Sequence, residues 1–551
     1  MKGQVDMTTA VETGDTTESS TGLQRRIGFW GLTFISLGSI IGSGWLLGAL
    51  TAAQTAGGGG SLVSWVLAAI MLGVLALIHA DLGAAYPVAG GTTRYPHYAF
   101  GGFAGFTAGW TTYIQCVAIA PLEVSASIDY VNAIPAVKKN FDMVQPDGQL
   151  NALGLVIAVL ALLLFTFVNA MGANWLSDSN TGIVLWKVAV PLLTVVVLLI
   201  VVFQPHNFTA GGGFAPDGFH GIFAALPAGV VFALQGFEQA AQVAGEAKDP
   251  RKHMAKAIIT AMAIGAVVYI LLEIAFVGAV PSARVGSSWA HPLPVGDYGP
   301  YYTLAVGAGI TWLSIVLIID AVISPGGTGL IYVGTSSRIS YALGMPSWMR
   351  RTTKRGVPIW SVLIAAGFGL IALAPTPSWE QLVKVITSST ALMYAFAPIS
   401  LWVLNRSDPD RDHPYRAPAQ RVLLPLGFVF ANLIAYWGGF DTSWKLAIFI
   451  LIGQVIYLIA GRLHAKSVET RRPGFRSAVW IWVWLAGLVL LDWLGQYGPS
   501  AAKIIPGGWD DVAVAVFALA IFFWAVRNGQ EQADAEALVE EDRKDDALAL
   551  D

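Results

Sequence analysis

Of the 32 lysine and arginine residues, only Lys187 lies deep inside an apolar run, GIVLWKVAVPLLTVVV. A lysine at the middle of a bilayer costs roughly 3 kcal/mol on insertion scales, so such a group is paired or put to use. Burial disfavours a charged amine, which makes Lys187 a candidate for taking up and releasing a proton. Acids share this depth: Glu123 in APLEVSA, Glu238 in QGFEQ, Glu273, Asp320 in IIDAVISPGG, and Asp492. Glu123, Glu238 and Asp320 join Lys187 as candidate proton-coupling residues. Glu273 and Asp492 read as acids set against polar neighbours. His79 and Asp81, in LIHADLGAAYP, fall near one end of an apolar run and read as interfacial and structural.

These groups act together only if the chain folds them together, and composition says in what medium. The chain has 551 residues, 55% hydrophobic and only 12% charged, about half the charged share of a soluble protein. A crossing needs about 20 predominantly apolar residues, and the sequence supplies about fourteen such runs, the first at 28–54, the third at 101–131, the fifth at 181–203 and the sixth at 221–245. The class is an all-α polytopic membrane protein. The run at 302–340 is overlong, and Pro325 with Gly326 and Gly327 is expected to divide it. The one cysteine, Cys116, excludes an intrachain disulfide and reads as a small buried hydrophobe.

Lysines and arginines concentrate in alternate connections, including Lys248/Arg251/Lys252/Lys256, Arg350/Arg351/Lys354/Arg355 and Arg462/Lys466/Arg471/Arg472/Arg476. By the positive-inside rule this places both termini in the cytoplasm. Residues 1–24 read as a disordered cytoplasmic tail and 527–551 as an acidic one. No HExxH, GxSxG or Walker motif occurs, and GGGG at 57–60 lacks the residues of a phosphate loop, so the chain is not expected to be an enzyme. No cofactor, metal or nucleic acid is implied.

Two spans carry residues ill suited to a helix at mid-membrane. GSIIGSGW, residues 38–45, interrupts the first, and Pro227 and QGFEQ, residues 235–239, interrupt the sixth. Irregular backbone survives at that depth only where it lines a protein cavity. Interrupted spans in corresponding positions of two halves mark the site of an inverted-repeat transporter, here spans 1–5 and 6–10. A half-helix N-terminus suits a carboxylate and freed carbonyls suit an ammonium, so a zwitterion of amino-acid type fits both.

GSIIGSGW, GFEQAAQVAGEAKDPRKHMAKAI and ADLGAAYPVAGGTTRYPHYAFGGFAGFTAGW resemble the amino acid–polyamine–organocation (APC) superfamily over about residues 25–405. YPVAGGTTRYPHYAFG and DAVISPGGTGLIYVGTSSR are most similar to its aspartate–proton symporter branch. The resemblance implies a 5+5 inverted-repeat core at 25–405, with additional spans at 406–526 that this core does not explain. It also implies that Gly42, Ser43 and Gly44 receive the substrate carboxylate. Ile40 and the carbonyls of Phe232, Ala233 and Gln235 would receive the α-ammonium, with Phe232 as an aromatic gate. Lys187 would stand where relatives hold sodium, between spans 1, 5 and 8. The expected function is secondary transport of an amino acid across the plasma membrane, with proton symport and aspartate as the finer reading. No buried arginine is evident for a side-chain carboxylate, which keeps open a neutral amino acid permease or an exchanger without proton coupling. A non-transporting membrane sensor is the remote alternative.

Overall fold

The computed structural model describes residues 27–343, 353, 357, 359–373, 378–463 and 475–540, apart from 89, 172, 295–298 and 533. The tail at 1–24, residues 541–551, and the basic clusters Arg350/Arg351/Lys354/Arg355 and Lys466/Arg471/Arg472 lie outside the described residues. Among the described residues the chain is helical, with only two isolated β-bridges, Ile27 to Ala247 and Val144 to Leu150.

Among the described residues ten helices are long and apolar enough to cross a membrane, and a bent pair makes an eleventh. Shorter apolar helices at Gly218–Leu234, Ile359–Leu373 and Trp480–Leu494 fall at the three other expected crossings. Peripheral helices leave large apolar side chains uncovered, for example Leu160, Leu164 and Phe167, as a surface facing hydrocarbon requires.

The bent pair is α1 (Phe29–Ile40) and α2 (Gly44–Ala56), which meet at 45°. Around it stand α3 (Gly58–Ala85), α4 (Gly102–Asn132), α5 (Ala152–Ala170) and α6 (Ala173–Val201). The second interrupted span begins as α7 (Gly218–Leu234), which widens to a π-turn at Leu226–Val230 around Pro227, and resumes as α8 (Gln239–Gln242). Next come α9 (Pro250–Ala279), α10 (Thr311–Ala342) and α11 (Trp379–Ser407). The additional helices are α12 (Gln420–Trp437), α13 (Phe440–Leu463), α14 (Trp480–Leu494) and α15 (Trp509–Arg527). α9 packs along α3, α10 along α4, and α11 along α12 and α4.

Pro325 does not divide the overlong run: α10 is continuous through it. The division lies earlier, where the helix Pro300–Gly307 ends. Gly309 has φ +74°, and the Ile310 amide donates back to the Ala305 carbonyl at 2.9 Å, the glycine-terminated closure that ends many helices.

The additional helices also touch the second interrupted span. Phe223 of α7 stacks on Trp437 of α12 (4.6 Å between centroids, 14° between planes), and His220 stacks on Tyr497, beyond α14, at 4.5 Å and 18°. On the opposite flank Asp81 of α3 is wholly buried and accepts from His413 Nδ1 at 2.6 Å, the Ala417 amide at 2.8 Å and Gln420 Nε2 at 2.6 Å. These bonds pin the segment between α11 and α12.

Candidate functional site

Two stretches of non-helical backbone face each other. α1 stops because Ile41 leaves helical conformation (φ −91°, ψ 85°), and α2 starts only at Gly44. α7 stops at Gln235, which is extended, and Gly236 follows at φ +113°, a conformation that favours glycine. The two breaks approach until side chains no longer fit. A Cβ on Gly44 would lie 2.7 Å from the Ala233 Cα, and one on Gly236 would lie 2.9 Å from the Ser39 Cβ. Ser36 Oγ fastens the breaks together, donating to the Phe237 carbonyl at 2.8 Å and accepting from the Ala240 amide at 3.2 Å.

Side chains from other helices reach the first break. Lys187 Nζ of α6 donates to the Gly38 carbonyl at 2.6 Å and to Thr328 Oγ1 at 2.7 Å. Thr328 Oγ1 of α10 in turn donates to Gly38 O at 3.0 Å. A cation therefore sits against the carbonyl end of α1, where the helix dipole favours positive charge. Glu123 Oε2 of α4 accepts from the Ser43 amide at 2.7 Å. Tyr269 of α9 donates its hydroxyl to the Ile40 carbonyl at 2.8 Å, and Trp379 of α11 donates Nε1 to Ser43 Oγ at 3.2 Å. The Ser43 amide and the Ile40 carbonyl, two of the groups expected to meet a ligand, are thus both engaged.

Glu123 lines a small cavity between the breaks, about 10 Å³, walled by Ile119, Phe232, Thr328 and Tyr332; that is room for about one water molecule. Its Oε1 has no hydrogen-bond partner among the described residues, and neither does Nε2 or Oε1 of Gln235, also at the cavity wall. Gln235 is only 2% exposed. A buried amide left unpaired costs about 1–3 kcal/mol. Phe232 meets Trp379 edge-on, centroids 5.9 Å apart, at the same wall.

The remaining predicted acids occupy other positions. Glu238 holds the second break together: its Oε2 accepts from Tyr394 at 2.6 Å and from the Gly236 amide at 3.1 Å, and its Oε1 from Gln239 Nε2 at 2.9 Å. Asp320 lies beside α2, accepting from Trp45 Nε1 at 3.0 Å and Ser324 Oγ at 2.8 Å. Glu273 accepts from Trp65 Nε1 at 2.8 Å, and the Trp65 ring stacks on Tyr269 at 5.1 Å. Asp492 is buried in α14, among the additional helices.

Sequence reasoning does not single out Thr328, Tyr269, Trp379 or Tyr394. Only Thr328 carries a signal, as a hydroxyl just beyond the Pro-Gly-Gly of span 8. An aromatic in an apolar helix is indistinguishable in sequence from packing.

Comparison with known proteins agrees with this geometry. The family model described as amino acid permease matches residues 27–460. The glutamate/serine transporter AimA of Bacillus subtilis is 35% identical over 517 residues, covering 92% of this chain and 95% of that protein. The aspartate–proton symporter of the same organism is 31% identical over 521 residues, covering 93% and 98%. Among solved structures, a mutant of the Eremococcus coleocola manganese transporter superposes with a TM-score of 0.51 at 13% identity, covering 93% of this chain and 96% of that one, which speaks for the fold alone. An interrupted-helix membrane fold, opposed backbone breaks and near full-length similarity lead to one conclusion: this chain belongs to the amino acid permease family.

Proposed function

We propose that the protein imports an amino acid across the plasma membrane together with a proton, with both termini in the cytoplasm. The core is residues 25–405, and the helices of 406–526 are additions to it. The reading rests on one observation: a carboxylate, Glu123 Oε2, already occupies the Ser43 amide at the first break. An amide that takes a side-chain carboxylate is suited to take the carboxylate of an amino acid in exchange. Gly42, Ser43 and Gly44 bind the substrate carboxylate, and the α-ammonium donates to the carbonyls of Ile40, Phe232, Ala233 and Gln235. The Ile40 carbonyl already accepts from the Tyr269 hydroxyl and from the Gly42 amide at 3.2 Å, so the ammonium takes the place of one of these donors there.

Coupling follows from the displaced group. Glu123, moved off the Ser43 amide, holds a proton and so avoids leaving two carboxylates in one dry cavity. Lys187 ties α1 to α6 and α10 through Gly38 O and Thr328; passing its proton to the displaced Glu123 carboxylate weakens that tie, because a neutral amine is the poorer donor. Glu238 and Asp320 act as buried acids that keep α8 and α2 in register with the site. Rocking of the two halves about the opposed breaks alternates access.

The test is uptake by purified protein in liposomes, with one radiolabelled amino acid and an imposed pH gradient, inside alkaline. Accumulation that collapses when a protonophore is added supports symport. Equal counterflow with no gradient-driven accumulation makes the protein an exchanger. An acidic substrate is the second reading, favoured by the likeness to an aspartate–proton symporter.

A further inference from the structure

We propose that the Gln235 side chain reads the side chain of the transported amino acid and selects a short uncharged one bearing a hydroxyl or a carboxamide. This rests on the transport reading above and names the substrate class for the same cavity.

The argument begins with which polar groups at the cavity are already spent. Ser39 Oγ donates to the Ile35 carbonyl at 2.8 Å, and Thr328 Oγ1 belongs to the Lys187 contact. Glu123 gives one oxygen to the Ser43 amide. Within the second break, Glu238 has partners on both oxygens, and Gln239 donates to Glu238 and accepts from Thr335 at 2.9 Å. Three groups at the cavity keep atoms without a partner among the described residues: Glu123 Oε1, the Tyr332 hydroxyl and the Gln235 carboxamide. Of these, Gln235 belongs to the second break itself, is buried, and has neither its donor nor its acceptor used.

The backbone explains why the side chain is committed to that place. Gln235 is the extended residue that closes α7, and Gly236 turns the chain at once toward Glu238. The neighbouring Ala233 is pressed against Gly44, so the stretch of backbone carrying Gln235 cannot retreat from the first break.

A carboxamide offers N–H and C=O together, and its best partner supplies one of each. A hydroxyl or a second carboxamide does so. A carboxylate only accepts, leaving Gln235 Oε1 unpaired and adding an anion beside Glu123. An ammonium or guanidinium only donates, leaving Nε2 unpaired. An aliphatic side chain leaves both unpaired. Lys187, the nearest cation, is held by Gly38 O and Thr328 and is not available to a substrate carboxylate without losing those bonds. The walls of Ile119, Phe232 and Tyr332 around so small a cavity restrict the length.

The experiment is competition against labelled serine uptake by the full-length protein in liposomes, using near-isosteric pairs. Threonine is expected to compete at least about tenfold better than valine, and asparagine at least about tenfold better than leucine or aspartate, since a site built to hydrogen-bond rejects analogues that cannot. In Gln235→Leu, kcat/KM for serine should fall at least about tenfold more than for alanine. Serine and alanine falling equally would overturn the assignment. So would valine matching threonine, or aspartate outcompeting asparagine, in the unmodified protein, a readout that holds even if the variant does not fold. Absence of any amino acid uptake overturns the transport reading itself, whereas uptake without these preferences overturns only the role of Gln235.

Discussion

The Lys187 ammonium lies 2.6 Å from the carbonyl oxygen of Gly38, joining the middle of α6 to the last turn of α1 across 149 positions of sequence. Gly38 is one of the carbonyls that a stopped helix leaves without an intrahelical partner. The lysine therefore stabilises the break and is itself stabilised by it.

Replacing Lys187 by Met keeps the length and apolar stem while removing all three donors. Uptake driven by a pH gradient should fall by at least about tenfold, the scale of a lost charged hydrogen bond. Full retention of gradient-driven uptake would refute a coupling role. Thr328→Val, which removes the Thr328 bonds but leaves the Lys187 contact with Gly38 in place, should reduce uptake by only severalfold.

Glu123→Gln keeps the shape of the side chain that occupies the Ser43 amide but removes its ability to trade a proton. Counterflow between saturated compartments should persist while accumulation against a gradient is lost. Retained accumulation at unchanged sensitivity to protonophore would assign coupling elsewhere.

Gly44 and Gly48 are one turn apart on α2 and should respond in opposite ways to a methyl group. A Cβ at Gly44 would collide with the backbone of Ala233 at 2.7 Å, whereas the nearest atoms at Gly48 are 3.5 Å away on the Trp65 ring. Gly44→Ala should cost about 1–3 kcal/mol of stability, or abolish uptake by prising the breaks apart. Gly48→Ala should remain near wild type in both thermal unfolding and transport.

Asp81→Ala should destabilise the protein without touching the candidate site. It strips three donors of their common acceptor: the Ala417 amide and the His413 ring, both buried, and the partly buried Gln420. Unpaired buried donors cost about 1–3 kcal/mol each. The midpoint of thermal unfolding in detergent should drop by several degrees, with KM in the surviving protein unchanged.

The helical class, both breaks and the burial of Lys187 were legible because each depends on composition along one segment. A cluster of glycine and serine at mid-membrane stands out, and so does a lysine. Partners were less legible. Tyr269 and Trp379 reach the first break from α9 and α11, and nothing in their own helices distinguishes them from packing aromatics. Pro325 misled for a physical reason. A proline removes one hydrogen bond and introduces strain, but neighbouring helices can absorb both, and α10 continues through it. Gly309, with a positive φ that the local sequence tolerates, ends the preceding helix instead. The side chain of Gln235 became informative only when both ends of its carboxamide proved to be without a partner at the cavity wall.

The stacks of Phe223 on Trp437 and of His220 on Tyr497 give the additional helices a mechanical part. The first half of the second interrupted span is moored to them by two ring pairs, each worth about 0.5–1.5 kcal/mol. Any rearrangement that swings this half away from its moorings starts about 1–3 kcal/mol uphill, which holds the swung population roughly 5- to 150-fold lower. Helices that contribute nothing to the binding cavity can in this way set how often it opens.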